Sequence, residues 1–336
     1  MKKIVFLMGL CLVACKTSTK EPVKNTLRGG ALGTGYALTY FTDETMSLQK
    51  EVDSVFEVIN RSMSTYIPDS DISKINQGDT RLVVDHMFQE VFSLSKTIHG
   101  ATQGYFDPTV GVLVDAWGFG PGAVKEMDAA TVEDLLKLVG FDKVSMTSDH
   151  RILKENPGIR FDFNAIAKGY AIDRLAVLLD QKKVENYLIE VGGEIVVKGQ
   201  NVQKQKAWLV GIDDPEVENG RSSKRLVHLK DQAMASSGNY RKFRIDSLSG
   251  KKYVHTIDPK TGYTKNANVL ATTVIAKTCA EADGYATAFM AMDLEASKAL
   301  LSAQDALDAY IIYLDDQGDA QEYMTKGFEA LLVPEL

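Results

Sequence analysis

One stretch constrains the fold of this chain more than any other: residues 162–173, with the sequence DFNAIAKGYAID. Asn164 favours the start of a helix, because its side-chain oxygen can accept from the unpaired amides of the first turn. Apolar residues then recur at helical spacing from Ala171 to Leu179. The pattern predicts a strand end that leads into a helix capped by Asn164. Lys168 would lie one turn in, at the positive helix end, a place that suits a cation only when an anion binds nearby.

The composition is that of an ordinary soluble globular protein. The chain has 336 residues, of which 45% are hydrophobic and 25% charged, so it can form one large or two medium domains with a sizeable core. The net charge of -7 and the absence of a basic block argue against a nucleic-acid binder. Small molecules and proteins are the expected partners.

The first residues have the layout of a secretory signal. A basic start is followed by an apolar run over residues 4–14, which is too short to span a bilayer. The sequence LVAC at residues 12–15 resembles a bacterial lipobox. It predicts a signal peptide at 1–14, a lipid on the Cys15 thiol, and a tether over 15–29 before a folded domain at 30–336. A short buried hydrophobic segment is the alternative reading.

The cysteines fit that interpretation. Cys11 would leave with the signal and Cys15 would carry the lipid, which leaves Cys279 alone. We therefore expect no intrachain disulfide and no thiol pair for redox or zinc chemistry.

Strands and helices follow one another in mixed order, which predicts an α+β fold. No Gly-x-Gly-x-x-Gly follows a strand and no phosphate-binding Gly-Lys-Ser/Thr loop is present, so a doubly wound nucleotide fold is not expected. The residue patterns predict helices at 46–62, 84–102, 131–139 and 279–292, a short helix capped by Asp69 or Ser70, strands at 30–41, 207–212, 226–230, 269–276 and 309–313, strands around the Asn-Pro-Gly turn of 141–163, and a strand pair at 186–199 broken by Gly192-Gly193.

Several motifs closely resemble those of one family. Asp162, Ala165 and Lys168 form the pattern DxxAxxKGY, which resembles the signature of the ApbE family, the FAD:protein FMN transferases. Further matches follow in order at residues 63–66 (MSTY), 104–121, 233–243 and 253–262 (YVHTIDPKTG). The resemblance extends from about residue 30 to the last strand. It implies antiparallel sheets with packed helices in a T-fold-like, ApbE-like architecture.

The resemblance also implies a set of FAD contacts. An aromatic ring such as that of Tyr66 suits a flat isoalloxazine, which it holds through dispersion and quadrupole contacts; a half-buried surface tyrosine is the alternative. Asp107, next to a proline, could equally be a turn residue. The implied FAD contacts are Leu32 (where members often have methionine), Met63, Tyr66, Tyr105, Phe106, Asp107, Asp162, Lys168, His255 and Ile257.

A magnesium site is implied as well. Asp283 and Thr287 are four residues apart, so their side chains project from one face of the predicted helix. Members of the family use these positions, with the main-chain carbonyl at Ala165, as oxygen ligands for Mg²⁺. A buried aspartate bonded to a threonine hydroxyl would give the same pattern.

The implied reaction moves FMN from FAD to a threonine or serine hydroxyl of an acceptor protein, with release of AMP. His255 is the candidate general base, because an imidazole with an ordinary pKa near 6.5 can take the hydroxyl proton. Asp258 either orients His255 or holds the turn. Catalysis would come mainly from positioning and from neutralising phosphate charge.

Two other functions compete with this one. A magnesium-dependent FAD pyrophosphatase would use the same site with water as acceptor and give FMN and AMP. A non-catalytic flavin-binding lipoprotein would keep Tyr66 and Asp107 but lose the metal pair, which is present here. For the transferase, the resemblance implies acceptors that are subunits of membrane redox complexes, and a lipid-anchored place in the bacterial cell envelope, facing the periplasm or exterior.

Overall fold

The computed structural model describes residues 21–215, 222–239, 243–245, 252–265 and 268–334. The predicted signal peptide and Cys15 lie outside these residues. Within them, no helix has both the length and the apolar character that a membrane crossing requires.

The strands are β1 Val23–Ala31, β2 Thr34–Thr42, β3 Val144–Met146, β4 Ile152–Lys154, β5 Asn186–Val191, β6 Glu194–Lys198, β7 Trp208–Asp213, β8 Ser223–Leu229, β9 Gln232–Gly238, β10 Phe243–Ile245, β11 Lys252–Val254, β12 Val269–Ala276, β13 Asp308–Leu314 and β14 Ala320–Met324. The helices are α1 Gln49–Met63, α2 Asp71–Asn76, α3 His86–Ala101, α4 Gly111–Ala116, α5 Ala129–Leu136, α6 Ala167–Gln181, α7 Cys279–Ala291, α8 Leu294–Ser302 and α9 Lys326–Glu329.

An eight-stranded sheet with the order β1-β2-β5-β6-β9-β12-β13-β14 organises the described part of the chain. Every neighbouring pair in it is antiparallel. Buried and half-buried residues alternate along β5, as expected when one face of a strand packs more deeply than the other. Six consecutive residues at the end of β12 are buried, because both faces of this central strand are covered.

Different layers cover the two faces of the sheet. On one face the main core joins the sheet to α1, α3, α6 and α7. On the other face a second core, which includes Trp208, Val227 and Phe328, places the β7–β8 hairpin and α9 against the sheet. Nearly every residue of α7 is buried, so this helix is apolar on all sides apart from a few polar positions. Those polar positions belong to the site described below.

The predicted elements occur in the structure, but some boundaries were wrong. Strand β1 begins at Val23, within the stretch that the sequence analysis assigned to the tether. The predicted strand at 30–41 is the turn and second strand of a hairpin, in which Leu32 and Gly33 have φ of 52° and 75°. β7 and β8 pair with each other in a separate two-stranded sheet and do not extend the large one.

The turn of the β3–β4 hairpin was also misplaced. Thr147 and Arg151 close it, and the Asn-Pro-Gly sequence follows β4 instead.

Candidate functional site

A cavity of about 330 Å³ lies where the first turn of α6, the middle of α7, the end of β9 and the chain after β11 meet. It brings together residues that are far apart in the sequence. The predicted site residues that line it are Tyr105, Phe106, Asp107, Asp162, Ala165, Lys168, His255, Ile257, Asp283 and Thr287.

A second cavity of about 630 Å³ adjoins the first. The remaining predicted FAD contacts, Leu32, Met63 and Tyr66, line it. The side chains of Asn164 and Lys168 border both cavities, so Lys168 lies at their junction. Tyr66 is 55% exposed, which leaves its ring accessible to a flat ligand.

Two backbone contacts bring the loop that carries Tyr105, Phe106 and Asp107, three of the implied FAD contacts, to the start of α6. The amide of Asp162 donates to the carbonyl of Pro108 at 2.7 Å, and the amide of Gly111 donates to the carbonyl of Arg160 at 3.1 Å. Tyr105, Phe106 and Asp107 consequently lie beside Asp162 although more than fifty residues separate them in the sequence.

The carboxylates of Asp107 and Asp162 both accept hydrogen bonds from protein groups. The Asp107 carboxylate accepts from the amide (2.8 Å) and hydroxyl (2.6 Å) of Thr109 and from the amide of Phe141 (2.9 Å). Burial nevertheless raises the pKa of Asp107. Asp162 accepts from the amide of Asn164 at 2.7 Å and from its side-chain nitrogen at 3.1 Å. The bonds from Thr109 to Asp107 are those of a turn residue, which is one of the two roles that the sequence analysis gave for Asp107.

The predicted helix cap by Asn164 was wrong. Helix α6 begins later, after Ile166, which makes no side-chain cap. The acceptor for the first-turn amide of Gly169 is instead a carboxylate oxygen of Asp283, at 3.0 Å. Asn164 is exposed and bonds to Asp162, so a distant residue has taken over its predicted role.

Close approach of two helices places Asp283 at this point. A Cβ added to Gly169 would lie 2.4 Å from the carbonyl oxygen of Cys279, so only glycine lets α6 approach α7 this closely. The Asp283 carboxylate is buried, and burial raises its pKa while Lys168 and the amide of Gly169 oppose that effect. The hydroxyl of Thr287, one turn along α7, lies 3.4 Å from that of Ser237 on β9.

Glu194, the first residue of β6, was missed by the sequence analysis. It is 2% exposed, and one of its carboxylate oxygens lies 2.8 Å from Nζ of Lys168. The other oxygen, Oε2, is buried and has no hydrogen-bond partner among the described residues. Burial and the nearby charge of Asp283 raise the pKa of Glu194 to about 7, and Lys168 opposes this. A glutamate directly after Gly192-Gly193 in an apolar strand was the available signal.

The donors at this end of the cavity fit a hard divalent cation. Asp283, Thr287 and the carbonyl of Ala165 offer only oxygen atoms, which Mg²⁺ prefers, and Mg²⁺ commonly keeps water or substrate oxygens in its other positions. In the part of the chain that the structure describes, no three His, Cys, Asp or Glu side chains group as metal ligands. A partial shell completed by a bound substrate is therefore the arrangement that these residues support.

His255 directly follows β11 and is half-buried at the cavity. The contacts of Asp258 are those of a turn: its carboxylate accepts from the amide of Lys260 at 2.8 Å, and its main chain bonds to Gly262 and Tyr263. The indole of Trp117 donates to the carbonyl of Gly262 at 2.9 Å and fixes the turn from the other side. Of the two predicted roles for Asp258, these contacts support the turn.

Comparison with known proteins identifies the family. The sequence model of the ApbE family matches residues 32–311. The FAD:protein FMN transferase of Haemophilus influenzae is 33% identical over 97% of this chain and 95% of that protein. The protein of the same name from Vibrio cholerae is 34% identical over 98% of each chain.

Solved structures show the same fold. The flavin transferase ApbE from Vibrio cholerae superposes with a TM-score of 0.82 at 32% identity, over 93% of this chain and 100% of that one. The apo flavinyl transferase ApbE of Pseudomonas stutzeri gives 0.81 at 27% identity, over 94% and 98%. The mixed fold of helices and antiparallel sheet is therefore confirmed. The chain belongs to the ApbE family, as its motifs predicted.

Proposed function

We propose that this protein transfers FMN from FAD to a threonine or serine hydroxyl of an acceptor protein and releases AMP. The observation that carries the proposal is the pair of adjoining cavities with Lys168 at their junction. FAD has the matching shape: an adenosine half, a flavin half and a diphosphate between them. Relatives that match nearly the whole chain are named FAD:protein FMN transferase.

In this proposal the two halves of FAD occupy different cavities. The flavin ring lies against Tyr66 in the larger cavity, near Leu32 and Met63. The adenosine half lies near Tyr105 and Phe106, where the Nζ of Lys260 is 3.9 Å from the centre of the Tyr105 ring. The diphosphate is then placed at Lys168 and beside Asp283. A bound Mg²⁺, held by Asp283, Thr287 and the carbonyl of Ala165, would neutralise charge that develops on the phosphate oxygens.

The residues of the chain contribute position, charge and a proton acceptor. Lys168 supplies a point charge to the diphosphate from the start of α6, where the helix end is itself positive. The acceptor hydroxyl attacks the phosphorus of the FMN half, and the bond from that phosphorus to the bridging oxygen breaks. AMP leaves with the bridging oxygen. His255, which lines the same cavity, takes the proton of the attacking hydroxyl.

The cell envelope is the proposed location. The signal-like residues 1–14 and the lipobox cysteine at residue 15 support export and a lipid anchor on a bacterial membrane. The acceptor in this proposal is an extracytoplasmic redox protein with a Ser/Thr flavinylation motif.

Mass spectrometry of an acceptor domain provides the test. The purified protein is incubated with FAD, Mg²⁺ and the domain, and the expected result is one added FMN per domain with an equal amount of AMP. Parallel reactions without acceptor measure hydrolysis. If FMN and AMP form at the same rate with and without acceptor, and the domain stays unmodified, the protein is a pyrophosphatase.

His255→Ala tests the proton acceptor. Loss of a general base typically slows a reaction by about 10²- to 10⁴-fold, so transfer should fall by that factor, which is far more than FAD binding should weaken. His86→Ala, at the exposed first residue of α3, is the matched control and should keep full activity. Unchanged transfer in His255→Ala would remove this residue from the mechanism.

A further inference from the structure

Glu194 has an environment that its place in the sheet does not explain. As the first residue of β6 it follows a glycine turn, and its side chain points into the cavity beside Lys168, Asp283 and Thr287. Burying a carboxylate is unfavourable unless both oxygens are bonded. Oε1 lies 2.8 Å from Lys168, whereas Oε2 is buried and has no partner in the described part of the chain. The unpaired Oε2 indicates that a bound group supplies its hydrogen-bond donor.

The chemistry of the expected ligands narrows the choice of donor. A diphosphate offers only acceptors, so it cannot bond to a carboxylate oxygen. Mg²⁺ commonly keeps several water molecules when protein residues and phosphates bind it, and those waters donate strongly. Glu194 and Asp283 line the same cavity, so a water molecule on a cation at Asp283 is a donor that the Glu194 carboxylate can reach.

We propose that Glu194 is a positioning residue of the magnesium centre: Oε1 holds the ammonium of Lys168, and Oε2 accepts from a water molecule bound to the cation. The proposal rests on the proposed function, because it assumes that a cation and the FAD diphosphate share this cavity. Without the cation, the buried charges of Glu194 and Asp283 repel the diphosphate. With it, the same charges hold the cation in place. Glu194 thereby makes FAD binding depend on magnesium.

Glu194→Gln separates this role from a structural one. The amide keeps an oxygen for Lys168, but it removes the negative charge and places an NH₂ group where an acceptor is needed. The half-saturating Mg²⁺ concentration, measured by titrating FAD binding, should rise by about 10- to 100-fold, as for other groups that bond to metal ligands. In EDTA, FAD should bind more tightly than it does to wild type. A merely structural glutamate would not shift these two quantities in opposite directions.

Glu190→Gln is the matched control. Glu190 lies in the preceding strand, accepts from the amide of Gly193 at 2.7 Å, and is not among the residues that line the cavity. In this variant, the affinity for FAD with Mg²⁺, the affinity for FAD in EDTA and the half-saturating Mg²⁺ concentration should all match wild type. Glu194→Asp tests position alone: it keeps the charge, so binding in EDTA stays weak, while the shorter side chain still raises the half-saturating Mg²⁺ concentration.

Failure of the proposed role of Glu194 can be distinguished from failure of the proposed function. If wild type neither binds FAD in a magnesium-dependent way nor modifies an acceptor, the function itself is wrong. If wild type does both and Glu194→Gln titrates with Mg²⁺ as wild type does, the role of Glu194 is wrong. Should Glu194→Gln not fold, as judged by its thermal transition, Glu194→Asp decides, and a wild-type titration in that variant overturns the proposal.

Discussion

Gly169 is the residue at which the two helices of the site meet. Its amide donates to Asp283, and an added Cβ would lie 2.4 Å from the carbonyl oxygen of Cys279 and 2.9 Å from the Cα of Ala280. Backbone atoms of a buried helix cannot move aside as a flexible side chain can. Gly169→Ala should therefore lower the free energy of unfolding by about 1–3 kcal/mol, the range for overpacked interiors, as measured by urea denaturation.

Gly100→Ala controls for helix propensity. Gly100 is an exposed glycine in α3, where an added Cβ would meet no described atom within 4 Å. Alanine there should raise stability by up to about 1 kcal/mol, because it restricts the unfolded chain and favours the helix. If the two alanine variants shift the urea midpoint equally, close helix approach at Gly169 does not limit stability.

Asp283→Ala removes the carboxylate at the centre of the proposed cation site. FMN transfer at saturating FAD should require far more Mg²⁺ or stop, because a neutral methyl group replaces an anionic ligand. The measurement is a magnesium titration of transfer rate. Asp293→Ala is the control, since the side chain of Asp293 is 74% exposed and pairs with Lys265 at the surface. An unaltered titration curve for Asp283→Ala would exclude the ligand role.

Residue patterns could identify the residues of the site more readily than the hydrogen-bond partners of those residues. The motifs placed Lys168, His255, Asp283 and Thr287 at one site, and the structure has them around one cavity. Asn164 is a residue type that often caps helices. In the structure, however, Asp283 accepts from the first turn of α6, although it lies more than a hundred positions further along the sequence. Local sequence can show that a helix start needs an acceptor, but it cannot show that tertiary packing will supply a different one.

At the scale of elements, α6 and α7 cap each other. Asp283 of α7 accepts from the first turn of α6, and Asp173 of α6 accepts from the amides of Cys279 (2.8 Å) and Ala280 (2.9 Å) at the start of α7. The first amides of a helix have no partner within it, so each helix satisfies the other. This reciprocal capping fixes the relative position of Lys168 and Asp283, which the proposed chemistry needs.

Asp173 should make stability depend on pH. Burial, with a smaller effect from Glu281 and Asp283, raises the pKa of its carboxyl from 3.8 to about 7 against the opposing amide bonds. The folded state then holds the proton more tightly than the unfolded chain. The stability that this group contributes is fully present below about pH 4 and is lost as pH rises towards about 7.

Asp173→Asn isolates that effect, because an amide does not titrate in this range. Between pH 4 and 7, the unfolding free energy of wild type relative to the variant should fall by at most about 1.4 kcal/mol per pH unit. Urea denaturation at several pH values measures the difference. Parallel pH profiles for the two proteins would mean that Asp173 titrates normally in the folded state.

Elements with strong local signals could be predicted, and those defined by pairing could not. The capped helix after Ser70 and the Gly-Gly strand pair occur as expected, since caps and glycine turns act over a few residues. The polar residues 23–28 did not look like a strand. They form one because they pair with β2 at the edge of the large sheet, where half-exposed polar side chains are tolerated.

At the scale of the whole molecule, the large sheet is what assembles the site. Leu32 lies in the turn between its first two strands, Glu194 starts a central one, and α7 packs on β9 and β12. Contacts between such distant segments follow from strand order, and strand order is not encoded in any single stretch. Residue patterns predicted a mixed α+β fold and the family resemblance implied antiparallel sheets with packed helices, but neither gave the strand order that the structure shows.

This assembly predicts that FAD and Mg²⁺ stabilise the protein jointly. Asp283 and Glu194 are both buried and line the proposed site, where their carboxylates would repel a diphosphate until a cation neutralised them. With both ligands at about 100 times their dissociation constants, the folded state should gain at least about 2.7 kcal/mol and melt several degrees higher. FAD in EDTA should give less than half of that shift in a thermal melt, and excess Mg²⁺ should restore it. Equal shifts with and without EDTA would mean that the cation and the flavin dinucleotide bind independently, in which case they do not share the cavity at Lys168.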